Sequence, residues 1–192
     1  MRYLLAILFL TYTTKPDVEV VKVIEPKIEA HITHFPSVYK QIREHEGNYV
    51  YHKFDKGGET YGGITRKYNP DWYGWRYIHK GLNTNEIVCE AEFWVKDAYL
   101  DIWVKEGYMD IKDYNLALNL FDLRINSSPR TYEKKVNKVL KDMNECDIYT
   151  LSNTEEFVWR LKIERILLYS YLAMNDSTQR TFYKGWIRRL DI

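Results

Sequence analysis

Val38, Ile42 and Glu46 stand at i, i+4 and i+8, so a helix that starts near Pro36 carries all three on one face before Gly47 ends it. That spacing turns a carboxylate toward the apolar side at the C-terminal end of a helix. Burial and the negative end of the helix dipole both favour the neutral acid there. A carboxylic acid that keeps its proton near neutral pH can hand it to a departing oxygen, which is what cleavage of a glycosidic bond requires. By pattern alone a solvated last-turn residue is the commoner case, so the neighbouring sequence has to decide.

From Asn48 to Gly63 the chain is rich in Tyr, Gly and polar residues, the composition of a loop or small hairpin. Within it, Asp55-Lys56-Gly57-Gly58-Glu59-Thr60-Tyr61-Gly62-Gly63-Ile64-Thr65 has two glycine pairs bracketing a threonine. The spacing suits a tight turn where backbone approaches a ligand. As a phosphate cradle it fails, because it has no Walker Lys-Ser/Thr pair and no buried strand leads into it. His31, His34, His45, His52 and His79 are scattered, without the paired helical spacing or cysteine partners of a zinc site. No metal and no cofactor is implied. Glu44 falls on a different helix face from Glu46, where solvation is the default. Asp122 and Asn126 share a face at i, i+4 and read equally well as lining a cleft or as buttressing helix packing. Arg189 reads as structural, a partner for a buried acid.

Taken together, Glu46-Gly47-Asn48-Tyr49 and Asp55-x-Gly-Gly-x-Thr-x-x-Gly-Ile-Thr resemble the N-terminal signature of glycoside hydrolase family 108, the N-acetylmuramidases of phage endolysins and secreted bacterial enzymes. Downstream, Asp122-x-x-x-Asn126, Arg165-x-x-x-Tyr169 and Phe182-x-x-Gly185-Trp186-x-x-Arg189 follow in the order that family shows, so the resemblance spans roughly residues 38–191. It implies a lysozyme that cuts bacterial peptidoglycan between N-acetylmuramic acid and N-acetylglucosamine, with Glu46 as the catalytic glutamate. Asp55 and Thr60 match polar positions lining the family's cleft and complete the expected catalytic set. Tyr49, Tyr61, Gly63, Asp122 and Asn126 are the expected substrate contacts. Two departures stand out: Asn48 replaces the usual second glycine, and the family's Asp-Gly…Gly-x-x-Thr loop is not recognisable between Asp142 and Thr154. The first alters a turn; the second touches wall recognition. A non-catalytic wall-binding or virion structural module with the same fold, and a lytic transglycosylase, stay open as alternatives.

The elements that must position these residues are mostly helical. Apolar spacing predicts a helix from about Asn85 to Trp103 with Ile87, Ala91, Trp94, Ala98 and Ile102 as its buried stripe. Asp113 caps a helix bearing Leu116, Leu120 and Phe121; Thr131 caps one bearing Val136, Val139, Leu140 and Met143. Ser152 and Glu155 have capping-box spacing before a long helix with Val158, Leu161, Leu168 and Leu172, and a last helix starts near Ser177. With one small β-hairpin or loop insertion after the first helix, this is an α+β, mainly α-helical, lysozyme-like fold.

The chain of 192 residues suffices for one catalytic domain, residues 37–192, divided into a core at about 37–130 and a C-terminal helical portion, 131–192, that resembles a peptidoglycan-binding region. Residues 16–36 read as a tether with one short strand. Residues 1–15 pair Arg2 with an apolar run from Tyr3 to Leu10, which is signal-peptide-like; the stretch lacks a small-x-small cleavage site, so an anchor touching membrane through residues 2–12 is the other reading. Either way the expected place of action is the bacterial cell wall. A net charge of +1 gives no field for nucleic acid, and a monomer is expected. Cys89 and Cys146 exclude a disulfide framework and read as buried free thiols.

Overall fold

A computed structural model of the chain describes residues 34–51, 58–79, 82 and 86–191. The signal-like segment, the tether as far as residue 33, and Asp55 lie outside the described residues. The first helix, α1 (Phe35–Glu46), has Pro36 in its first turn, where a missing N–H leaves no hydrogen bond unmade, and buries Phe35, Val38 and Ile42. Gly47 at φ 64° stops it in a conformation that a side chain would resist.

The chain then forms a three-stranded antiparallel sheet in the order β1 (Tyr49–Tyr51), β2 (Glu59–Tyr61), β3 (Ile64–Thr65). Tyr49 pairs with Tyr61 and Tyr61 with Ile64, so these three share the buried face, while Thr60 lies opposite Val50 and Thr65 on the other. Gly62 and Gly63, both at positive φ, make the two-residue connection between β2 and β3, as a type I′ turn demands.

Five further helices complete the described chain: α2 (Cys89–Lys105), α3 (Tyr114–Ile125), α4 (Pro129–Met143), α5 (Thr154–Asn175) and α6 (Arg180–Arg188), the last running into a 3₁₀ turn over Arg189–Asp191. The expected mainly helical α+β class is borne out. Helix α3 is the centre of the core: every residue from Leu116 to Leu123 is buried, and it packs against α1, α4 and α5. Asp113 caps it as expected, accepting from the Leu116 N–H at 2.7 Å.

Several local expectations shift. Helix α2 starts at Cys89 rather than Asn85, and its buried face is Ala91, Val95, Tyr99 and Trp103 in place of the stripe from Ile87 to Ile102. Both sets have helical spacing on a helix whose apolar residues occur on every side; burying Tyr99 and Trp103 on the core side settles the choice. Ser128, followed by Pro129, caps α4 in place of Thr131. Asn153, accepting from the Glu156 N–H, caps α5 in place of Ser152, whose hydroxyl instead binds Glu145. The last helix begins at Arg180, three residues beyond Ser177.

Cys89 and Cys146 are free but exposed, not buried. Replacing both with serine should therefore change the unfolding free energy by no more than about 0.5 kcal/mol, the usual range for surface positions. Urea denaturation of the double variant checks this; a loss of several kcal/mol would mean that one of them carries packing.

Candidate active site

Glu46 is the last residue of α1, and 9% of its side chain meets solvent. Its carboxylate is bound by the guanidinium of Arg189, itself 15% exposed, arriving from the end of α6. Burial acts against a charged guanidinium, and the Glu46 carboxylate more than offsets it, holding Arg189 above the ordinary arginine range. The same arginine donates to Asn126 Oδ1 at 2.7 Å and to the His45 carbonyl at 3.4 Å.

Asn126 in turn donates through Nδ2 to the Asp122 carbonyl at 2.9 Å and to Asp122 Oδ1 at 3.2 Å. The other Asp122 oxygen is paired with Arg165, and neither side chain of that pair has any exposure. Arg165 also donates to the Tyr169 hydroxyl from Nε at 3.4 Å and from NH2 at 3.2 Å. A continuous polar chain, Glu46–Arg189–Asn126–Asp122–Arg165–Tyr169, thus runs from the end of α1 through α3 to α5. Each link fixes the rotamer of the next.

Against the opposite side of Glu46 lies the Gly62–Gly63 turn. A Cβ at Gly63 would sit 2.8 Å from Glu46 Oε2 and 2.4 Å from the Tyr99 hydroxyl, so only glycine allows this approach. The Tyr99 hydroxyl donates to the Gly62 carbonyl at 3.1 Å. Burial first, and then the nearby Glu46 carboxylate, push that phenol well above its ordinary range, so it stays a neutral donor.

Two acid clusters brace the sheet from beneath. Arg43 reaches Glu92 through Nε at 3.0 Å and NH2 at 2.5 Å, and the Tyr61 hydroxyl donates to the same carboxylate at 2.8 Å. Burial leads the effects that push the Tyr61 hydroxyl up to about 12. Glu59, buried, accepts from the Tyr49 hydroxyl at 3.2 Å and from Arg66 Nε at 2.5 Å, while the Arg66 guanidinium lies 4.2 Å from the centre of the Trp75 ring.

A cleft of about 320 Å³ is walled by Glu44, His45, Phe182, Gly185, Trp186 and Arg189; Glu46 does not line it but is bound to Arg189, which does. Phe182, Gly185, Trp186 and Arg189 fall at i, i+3, i+4 and i+7, one face of α6 and its continuation. The Trp186 ring is stacked on Tyr169 with centroids 5.2 Å apart, which ties this wall to the polar chain.

Of the residues singled out from sequence, the fold brings Glu46, Gly63, Asn126 and, through Asn126, Asp122 into one assembly. Asp122 is fully buried and Tyr61 likewise, with Tyr49 nearly so, and none of the three lines the cleft. Thr60 is half-buried in the middle of β2, its hydroxyl 3.4 Å from the Gly58 carbonyl. The sequence did not point to Tyr99, and it marked Phe182, Gly185, Trp186 and Arg189 as a motif without placing them at a cleft shared with the surroundings of Glu46. The i, i+3, i+4, i+7 spacing from Phe182 to Arg189 was the available signal for the wall, whereas nothing local marks Tyr99. Among the described residues no group of three His, Cys, Asp or Glu side chains is placed to hold a metal ion.

A shielded carboxyl bound to an arginine that walls a cleft with an aromatic side is chemically suited to proton transfer to a sugar-like ligand. Residues 39–127, which carry Glu46, the sheet and the whole of α3, match the family model glycosyl hydrolase 108. Over these residues the chain is similar to this glycoside hydrolase family. No curated protein and no solved structure matches it. The family segment ends at residue 127, so Arg165, Tyr169 and the cleft wall on α6 lie outside it although they complete the surroundings of Glu46.

Proposed function

We propose that this chain is a family 108 lysozyme: a peptidoglycan hydrolase that cuts the β-1,4 bond between N-acetylmuramic acid and N-acetylglucosamine, with Glu46 as proton donor. The observation that carries the reading is the place of Glu46, shielded at a helix end inside the family segment and bound to Arg189, which walls an open cleft. The Glu46 carboxyl passes its proton to the glycosidic oxygen as the C–O bond breaks, and a water molecule then adds to the positively charged sugar carbon. Asp55 takes the water's proton, places the water or stabilises the cation, and Thr60 assists from β2; the separation of the two carboxyls sets a retaining or an inverting outcome.

Protonated Glu46 no longer offers Arg189 a countercharge, which leaves the guanidinium with Asn126 and the His45 carbonyl. Loading the acid and loosening this ion pair are therefore one event, and a ligand seated against Arg189 in the cleft promotes it. The same reading sets the enzyme to work at the bacterial cell wall, exported or anchored through its first residues, in phage lysis or wall turnover.

Mass spectrometry of purified sacculi digested with the protein is the test. New reducing muramic acid ends are expected; anhydro-muramyl ends would indicate a lytic transglycosylase, and no new ends a wall-binding or structural module.

A further inference from the structure

Helix α5 is built inside out. Its inward face carries the charged Glu164 and Arg165, while Trp159, Ile163, Ile166, Leu167, Tyr171 and Met174 are 65%, 40%, 40%, 56%, 64% and 77% exposed. These six lie at i, i+4, i+7, i+8, i+12 and i+15 on one face roughly 22 Å long at 1.5 Å per residue, whose N-terminal end also carries the Arg160–Glu156 ion pair. Scattered exposed apolar residues are ordinary, but six on one helical face are not. With about 150–250 Å² available to each large ring, and four aliphatic side chains besides, the stripe exposes on the order of 600 Å². That is close to the ~800 Å² each partner contributes to a standard protein interface.

We propose that this face is a homodimer interface, in which α5 packs antiparallel against α5 of a second copy about a twofold axis near Ile166 and Leu167. An isologous contact must be self-complementary, and about that point the outer and central residues of the stripe meet one another while Tyr171 meets Lys162 of the other copy, a cation against a ring. Trp159 falls opposite Met174 of the other copy, Ile163 opposite Ser170, and Ile166 opposite Leu167. The outer pair sets a thioether against an indole, and Ser170 and the neighbouring Ala173 are small enough for close approach of the helices.

Charge supports the same orientation. Exposed Glu155 in the first turn of α5 comes near exposed Arg180, just beyond the other copy's α5, whereas parallel packing would set Glu155 against Glu155. A lipid surface is a poorer occupant, since it calls for a fringe of cations; on this helix Arg160 is already paired with Glu156 and Arg165 points inward, which leaves Lys162 alone at the edge of the stripe. The inference is independent of the proposed catalytic reaction and departs from the sequence expectation of a monomer.

Sedimentation equilibrium of the full-length chain over about 1–100 µM checks it, a span suited to an interface of this size. A species of twice the 23.2 kDa chain mass is expected. Ile163→Glu and Leu167→Glu, both at exposed positions, should leave the circular dichroism melt unchanged and raise the dimer dissociation constant at least about tenfold. In a Cys89→Ser/Cys146→Ser background, Trp159→Cys chains mixed with Met174→Cys chains should form mixed disulfides in preference to Trp159→Cys homodimers. A monomer throughout, a dimer indifferent to both glutamates, or binding to phosphatidylglycerol vesicles that these substitutions abolish in a monomeric protein would each overturn the proposal.

Discussion

Glu46→Gln leaves a folded protein whose release of reducing ends from sacculi falls by ~10²–10⁴-fold, the scale on which a general acid contributes. The amide keeps the shape of the side chain and can still accept from Arg189, but it has no proton to give. The stability cost should stay below the ~3–5 kcal/mol of breaking a fully buried pair, because both partners retain some solvent contact. Circular dichroism and a thermal melt therefore separate loss of chemistry from loss of fold. Glu44→Gln is the matched control. Glu44 is exposed on the cleft rim two residues away, so removing its charge should change the rate by no more than about two- to threefold. If the rim variant loses turnover and Glu46→Gln retains it, the assignment of the acid is wrong.

Asp122→Ala is expected to destabilise the protein by ~3–5 kcal/mol, since it strands the guanidinium of Arg165 in a core position without solvent contact. For a chain of this length the melting temperature should drop by roughly 6–20 °C. Arg165 already has one terminal nitrogen, NH1, buried without a hydrogen-bond partner, so little remains nearby to take up the charge. The paired replacement Asp122→Leu with Arg165→Met should recover most of that stability, because both desolvated charges go together. Turnover should not recover with it. Asn126, held through its amide by Asp122, loses an acceptor, and with it Arg189 loses the group that aims it at Glu46. Additive losses in the double variant, with no recovery of stability, would show that the two side chains do not act as a pair.

How these residues come together bears on what a sequence can disclose. Glu46 was legible because its determinants are local: Val38, Ile42 and Glu46 repeat at helical spacing, Pro36 opens the turn and Gly47 closes it. The same holds for the sheet, whose Gly62–Gly63 turn admits hardly any other residue pair, and for the Asp113 cap. Faces of helices proved harder. Helix α2 has apolar residues on every side between its charges, so periodicity offered two stripes, and Tyr99 and Trp103 were placed inward only by the rings they meet, Tyr39, Phe35 and Phe121. On α5 the pattern misleads outright. Charged side chains can turn inward when Asp122 and Lys135 on facing helices match Arg165 and Glu164, and that leaves apolar positions facing outward.

Arg189 marks the limit. The sequence suggested an arginine in search of a buried acid but not which acid, since the partner is 143 residues away and no spacing rule reaches that far. Pairing over such a separation is set by how α6 lies across the end of α1, and that depends on the packing of α5 against α3, α4 and α6 taken as a whole. Local chemistry thus named the acid and the turn beside it; the shared core decided what holds that acid in place.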